Sequence, residues 1–168
     1  MLNLKIESGE VKSFMAALLM SDTFDFFEVR GADITTLTHF NISGQKLLTG
    51  APAESSDDDG DNDNKPVKAS YCKWAEIRPF AHNIIKGGVR PSYLKIIFSM
   101  EPAEAVKLHE NSAAMYLNIM YNGEEVYFTS ATAQRGFSLD KSLDHVWEDY
   151  LREFFKTNRI NAREIEME

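Results

Sequence analysis

The sequence predicts an α+β domain built from antiparallel hairpins and helices, closed by a C-terminal helix. Three observations carry this expectation. Several short stretches alternate apolar and polar residues, as half-buried strands do. Others repeat apolar residues three and four apart, which lays one apolar stripe along a helix. Finally, Asn122-Gly123 separates two β-rich runs, the dipeptide a tight hairpin turn favours. Hairpins mixed with a few helices point to an antiparallel sheet rather than to strict strand–helix alternation.

The elements follow in order. Leu2 to Ile6 alternates and reads as a strand. Ser8 is a candidate helix cap, after which Val11, Phe14, Met15, Leu18 and Leu19 form a helical stripe. Phe24 to Val29 and Ala32 to Ile42 read as two strands joined at Arg30-Gly31. A two-residue loop there would set Glu28 opposite Asp33, an unfavourable like-charge pair, so a longer loop or a bulge is expected. Lys46 to Thr49 is a candidate short strand. Residues 50–66 contain no large apolar side chain and read as a flexible acidic loop within one domain.

Tyr71, Trp74, Ile77, Ala81, Ile84 and Ile85 give a second helical stripe, ending at Lys86-Gly87. Pro79 either kinks that helix or starts it. Tyr93 to Met100 reads as a buried strand and Pro102 to His109 as a short helix. Tyr116 to Tyr121 and Glu124 to Ala131 flank Asn122-Gly123. A two-residue type I′ loop pairs Leu117 with Phe128 and Ile119 with Val126. A helix from about Asp140 presents Leu143, Val146, Trp147, Tyr150, Leu151, Phe154 and Phe155. One domain is expected over residues 1–158, with a charged, fraying tail over 159–168. The element order reads as two similar strand-helix-strand-strand-strand sets.

Composition narrows the function classes. The 168 residues carry a formal net charge of −8 and one cysteine. The longest apolar runs are too short to cross a bilayer, and no basic-then-apolar start marks a secretory signal. Cys72 has no internal partner, which fits a reducing, cytoplasmic compartment. His39, His82, His109 and His145 are scattered, so neither a structural zinc site nor any cofactor is expected. The charge is uneven. Residues 54–63 hold six acids and no base, whereas residues 65–98 hold seven bases against Glu76 alone.

The motif search is mostly negative. Placing Gly60 at the sixth position of a calcium loop puts Pro66 where the bidentate glutamate belongs. Lys86-Gly87-Gly88-Val89-Arg90 follows a helix instead of opening one, so it reads as a helix stop and not as a phosphate cradle. Cys72 beside Lys73, with His82 downstream, reads as a plain thiol. His145 beside Asp144 reads as a helix-surface pair. The basic set Lys73, Arg78, Lys86, Arg90 and Lys95 is the one group whose pattern points outward. It is the candidate anion-binding surface, for nucleic acid or an acidic protein.

Two resemblances enter here. Ser21-Asp22-Thr23-Phe24-Asp25, Trp74-Ala75-Glu76-Ile77-Arg78-Pro79-Phe80, Ile84-Ile85-Lys86-Gly87 and Phe137-Ser138-Leu139-Asp140-Lys141-Ser142-Leu143 resemble a family of uncharacterised proteins of Clostridia-like Firmicutes. The match spans most of the chain outside the acidic loop and implies no activity. The paired element order is also similar to one domain of a DNA sliding clamp. That likeness implies basic helices facing DNA. The first helix, with Glu10, Lys12 and Ser13, shows no basic row, while Lys73, Arg78 and Lys86 fit. The expectation is thus a non-enzymatic binding domain with an anionic partner. The alternatives are a small-molecule site assembled from distant groups such as Cys72, His82 and Asp140, or an assembly subunit.

Overall fold

The computed structural model describes residues 1–47, 70–87 and 89–166. Its elements run β1 (Asn3–Ile6), a 3-10 turn (Ser8–Glu10), α1 (Val11–Leu19), β2 (Glu28–Thr35) and β3 (His39–Ser43). Then come α2 (Trp74–Ile85), β4 (Tyr93–Ser99), α3 (Pro102–Leu108), β5 (Ser112–Tyr121), β6 (Val126–Gln134), α4 (Ser142–Thr157) and β7 (Arg163–Glu164). The seven strands make one antiparallel sheet in the order β3-β2-β4-β5-β6-β1-β7. The α+β class and the C-terminal helix are those the sequence predicts.

The alternation of the strands decides where the core sits. Ala32, Ile96, Ile119, Phe128 and Leu4 are successive cross-strand partners across five strands, and all are buried. Helices cover this face. Phe14 of α1 and Phe155 of α4 meet the Phe128 ring edge-on at 5.2 and 4.7 Å, and Trp74 of α2 meets Phe98 at 5.3 Å. Residues pointing the other way, such as Tyr93, Lys95, Tyr116, Asn118 and Tyr127, are only half-buried.

The structure changes several expectations. Arg30-Gly31 is not a turn. β2 runs straight through it, with a register shift between Val29 and Gly31 against β4. The chain reverses instead between Thr35 and His39, which pair. Asp33 thereby faces Asn41, whose side-chain amide donates to it at 2.7 Å, and escapes Glu28. The Asn-Gly loop is also longer than expected. Tyr121 pairs with Val126, so four residues connect the strands and Ile119 faces Phe128. The Asn122 side-chain oxygen accepts from the Glu124 and Glu125 amides, closing an Asx turn, and Gly123 alone takes positive φ there, at 98°.

Pro79 lies inside α2 rather than at its start. The 3-10 turn at Ser8–Glu10 replaces a side-chain cap on α1. The two expected sets merge into one sheet. α3 is inserted between β4 and β5, and between β3 and α2 the described residues hold no strand, only the bridges of Lys73 to Glu28 and of Gln45 to Tyr71. The second half of the candidate strand at Lys46–Thr49, and the acidic loop with its calcium-like spacing, lie outside the described residues.

Residues 159–166 of the tail are built into the fold. Arg159 has φ 57°, Ile160 donates its amide to the Phe155 carbonyl at 2.9 Å, and Arg159 donates to that of Lys156 at 3.2 Å. That pair of bonds is a Schellman motif, which reverses the chain after α4. It swings Ile160 into the core and delivers β7 to β1, with Leu4 opposite Glu164. Ion pairs from Arg163 to Glu7 at 2.6 Å and from Arg152 to Glu164 at 2.7 Å line this edge.

Candidate functional site

The five predicted cations part company in space. Lys73, the N-cap of α2, puts its Nζ 3.0 Å from Glu101. Arg78 grips Asp25 with two bonds of 2.8 and 2.9 Å. The same loop takes the first α2 amides, because Trp74 N–H donates to Phe27 O and Ala75 N–H to Asp25 O. Arg78 therefore helps dock α2, and its guanidinium is held above its ordinary pKa chiefly by the Asp25 hydrogen bond. Lys95 stands on the sheet face away from the helices, between Asp33 and Met120. Lys86 directly follows α2 and Arg90 precedes β4. Neither has a carboxylate partner among the described residues.

Arg90 borders a groove of about 390 Å³. Val11, Met15 and Leu19 of α1, Ile85 of α2, Pro91 and the Tyr121 ring form its apolar bed. Lys12 and Arg90, both exposed, flank it, and among the described residues no carboxylate lines it. The helical stripe explains the bed, since positions 11, 15 and 19 recur every fourth residue on one side of α1. Arg90 is steadied by a neutral group. Its Nη2 donates to the Tyr121 hydroxyl at 3.3 Å, and that hydroxyl donates to the Gly123 carbonyl at 2.8 Å. Among the described residues no carboxylate forms an ion pair with Arg90, so the groove can receive an apolar side chain and a neighbouring anion together. Charge reading found Arg90. It could not find Lys12 or the Tyr121 hydroxyl, which come from distant parts of the chain.

A second, polar depression of about 460 Å³ holds His109, Asp140 and Ser142. Its bonding resembles a catalytic triad only superficially. The Asn111 amide donates to His109 Nδ1 at 3.2 Å, which leaves the proton on Nε2. Nε2 then donates to Ser142 Oγ at 2.8 Å, and the hydroxyl donates to Asp140 at 3.0 Å. In a nucleophilic triad the imidazole takes the serine proton. Here it gives one, so the serine is not activated. Asp140 also accepts the Ser142 amide at 2.9 Å, and that bond is the main reason its carboxyl is held below the usual range. The cluster caps the start of α4. Cys72 and His82 lie outside this depression. Among the described residues no group of three or more His, Cys, Asp or Glu is arranged to hold a metal, and no helix is long and apolar enough to cross a membrane.

No curated protein and no solved structure matches the chain. A family match does cover residues 17–163, from within α1 to the first residue of β7. By that match the chain belongs to the family of unknown function DUF5721.

Proposed function

We propose that this protein is a non-enzymatic binding domain whose α1–α2 groove takes an acidic peptide segment bearing apolar side chains. One observation carries the reading: an apolar bed flanked by Lys12 and Arg90, with no carboxylate among the described residues that line it. An open groove of this size suits one or two side chains and a nearby carboxylate. Nucleic acid is the weaker partner, because Lys73 and Arg78 are neutralised by Glu101 and Asp25 and Lys95 lies on another face. A clamp-like grip on DNA would need those cations free and aligned. A cytoplasmic location in a Clostridia-like bacterium is the setting proposed with it, resting on the lone cysteine and the sequence resemblance.

The test is fluorescence anisotropy with a labelled peptide alternating Phe or Leu with Glu, beside a DNA duplex, at low and moderate salt. The peptide is expected to bind, roughly tenfold more weakly to the K12E/R90E variant and more weakly in salt. The K95E variant, on the sheet face away from the helices, should bind as well as the wild type once folding is checked. No peptide binding, or peptide binding indifferent to K12E/R90E, sinks the proposal. So does DNA binding tighter than peptide binding.

A further inference from the structure

The sheet ends in two unlike edges. At one, β7 has only Arg163 and Glu164, which form ion pairs with Glu7 and Arg152. Short, charged edges of this kind turn other strands away. At the other edge stands β3, His39-Phe40-Asn41-Ile42-Ser43, with no Lys, Arg, Asp, Glu or Pro. Among the described residues no strand pairs with its outer side.

The bonding pattern of β3 shows which groups face outward. The Thr36 amide donates to the Thr38 carbonyl at 3.0 Å, so Thr35 and His39 form a non-hydrogen-bonded pair. From there the backbone groups alternate. Phe40 and Ile42 bond to β2, whereas His39, Asn41 and Ser43 turn their N–H and C=O groups away from the sheet. Gly44, next in the alternation, points its carbonyl back inward and accepts from the Cys72 amide at 2.7 Å. Side chains do not shield the outward groups. The Asn41 amide donates to Asp33 at 2.7 Å, and His39 lies 3.2 Å from the same carboxylate oxygen, so both fold back over β2.

This edge is complementary to itself. Laid antiparallel to a second copy about Asn41, it sets each Phe40 opposite Ile42 of the other copy, and each His39 opposite Ser43. Asn41 meets Asn41, and no like-charge pair arises. Phe40 and Ile42 already pack against the core and stay only half-buried, so such pairing covers what they leave open. The flanks agree. Leu37, in the β2–β3 turn, and Leu47, just past β3, are 86% and 83% exposed. In an antiparallel pair the Leu37 end of one copy meets the Leu47 end of the other. We propose that β3 pairs with β3 of a second copy, joining two sheets into one across a two-fold axis at Asn41. Residues 39, 41 and 43 then exchange about six backbone bonds with the other copy. A lipid surface offers no partners for these backbone groups, and an unrelated strand would not require an edge symmetric about its own centre. The contact is isologous, so assembly stops at the dimer. It does not depend on the α1–α2 groove, because β2 and β4 separate β3 from Tyr121 on β5.

Sedimentation velocity of the full chain tests it, from roughly 10 μM to 1 mM, since so small a contact is expected to be weak. Salt of roughly 0.15 M screens the repulsion between two copies of net charge −8. Mass should rise with concentration toward twice 19.1 kDa and no further. N41P removes an outward N–H that the β2 ladder does not use, so it should fold and raise the dimer Kd roughly tenfold or more. N41K can still meet Asp33 within its own chain but sets two lysines opposite each other, and should weaken the dimer likewise. Circular dichroism checks the fold of both variants, and K12E/R90E should dimerise as the wild type does. Amide exchange followed by NMR locates the contact. The His39, Asn41 and Ser43 amides should become protected as the concentration rises, while those of Phe40 and Ile42 are protected throughout. A wild type that stays monomeric at 1 mM, growth beyond the dimer, a dimer that survives both Asn41 variants, or outward amides that gain no protection each overturn the proposal. Loss of the dimer in K12E/R90E would place the contact at the groove and overturn it as well.

Discussion

Trp74 is the side chain that ties α1 to α2 and so shapes the groove between them. It is fully buried, and its indole N–H donates to the Leu18 carbonyl at 2.8 Å. Leu18 lies in the last turn of α1, where carbonyls lack a helical partner. W74F keeps an aromatic ring near Phe98 but leaves that buried carbonyl unpaired. The lost bond costs about 1–3 kcal/mol. The smaller ring leaves a void that adds roughly 1 kcal/mol. A loss of about 3 kcal/mol corresponds to a Tm lower by roughly 6–12 °C for a chain of this size. The chain has two tryptophans, so the variant leaves Trp147 as a single fluorophore to follow unfolding. Thermal and urea melts give the number, and the peptide titration reports on the groove. A W74F melt within 2 °C of wild type, with an unchanged urea slope, would falsify the claim that this bond joins the helices.

Two further substitutions probe parts of the structure that the sequence concealed. Glu28 is held above the ordinary glutamate pKa chiefly by burial, with Arg30 opposing. The folded chain thus binds that proton more tightly than the unfolded chain, and ionisation destabilises the fold. The penalty is absent below the unfolded value of about 4.3 and complete above the raised folded value. E28Q should therefore be more stable than wild type at pH 7 and lose that advantage by about pH 4; lower stability at pH 7 refutes it. Arg159 holds a left-handed conformation that glycine adopts freely, so R159G should gain up to about 1 kcal/mol, or roughly 2–4 °C in Tm. A lower melting temperature would show that the Arg159 side chain contributes more than its backbone costs.

Much of the fold was legible because local periodicity and burial agree. The stripe of Val11, Phe14, Leu18 and Leu19 is the buried face of α1, and Leu143, Trp147, Leu151 and Phe155 are that of α4. Two of the misplaced features, the Arg30-Gly31 bulge and the tail, depended on partners far away in sequence. Arg30-Gly31 looks like a turn, but pairing with β4 makes it a bulge, since both need local twist. The β5–β6 register slipped by two residues, and an even slip keeps every side chain on its own face. Apolar pattern cannot distinguish those registers; the Asx turn at Asn122 can. The tail looked ready to fray because it is charged, yet an edge strand uses backbone bonds that composition does not reveal.

The candidate site divides in the same way. Lys73, Arg78, Lys86, Arg90 and Lys95 were visible as charges, but a charge acts on a partner only if nothing nearer has claimed it. Asp25 and Glu101 claim two of them, and the β4 pleat turns Lys95 to the far face. The sequence by itself determined the fold class, the apolar faces and an uneven charge, because each is fixed by neighbours along the chain. The tertiary structure alone decided which cations stay free and which apolar groups stand beside them. Those are facts about distance in space, and Lys12, Arg90 and Tyr121 meet only because the sheet and the two helices bring them to one groove.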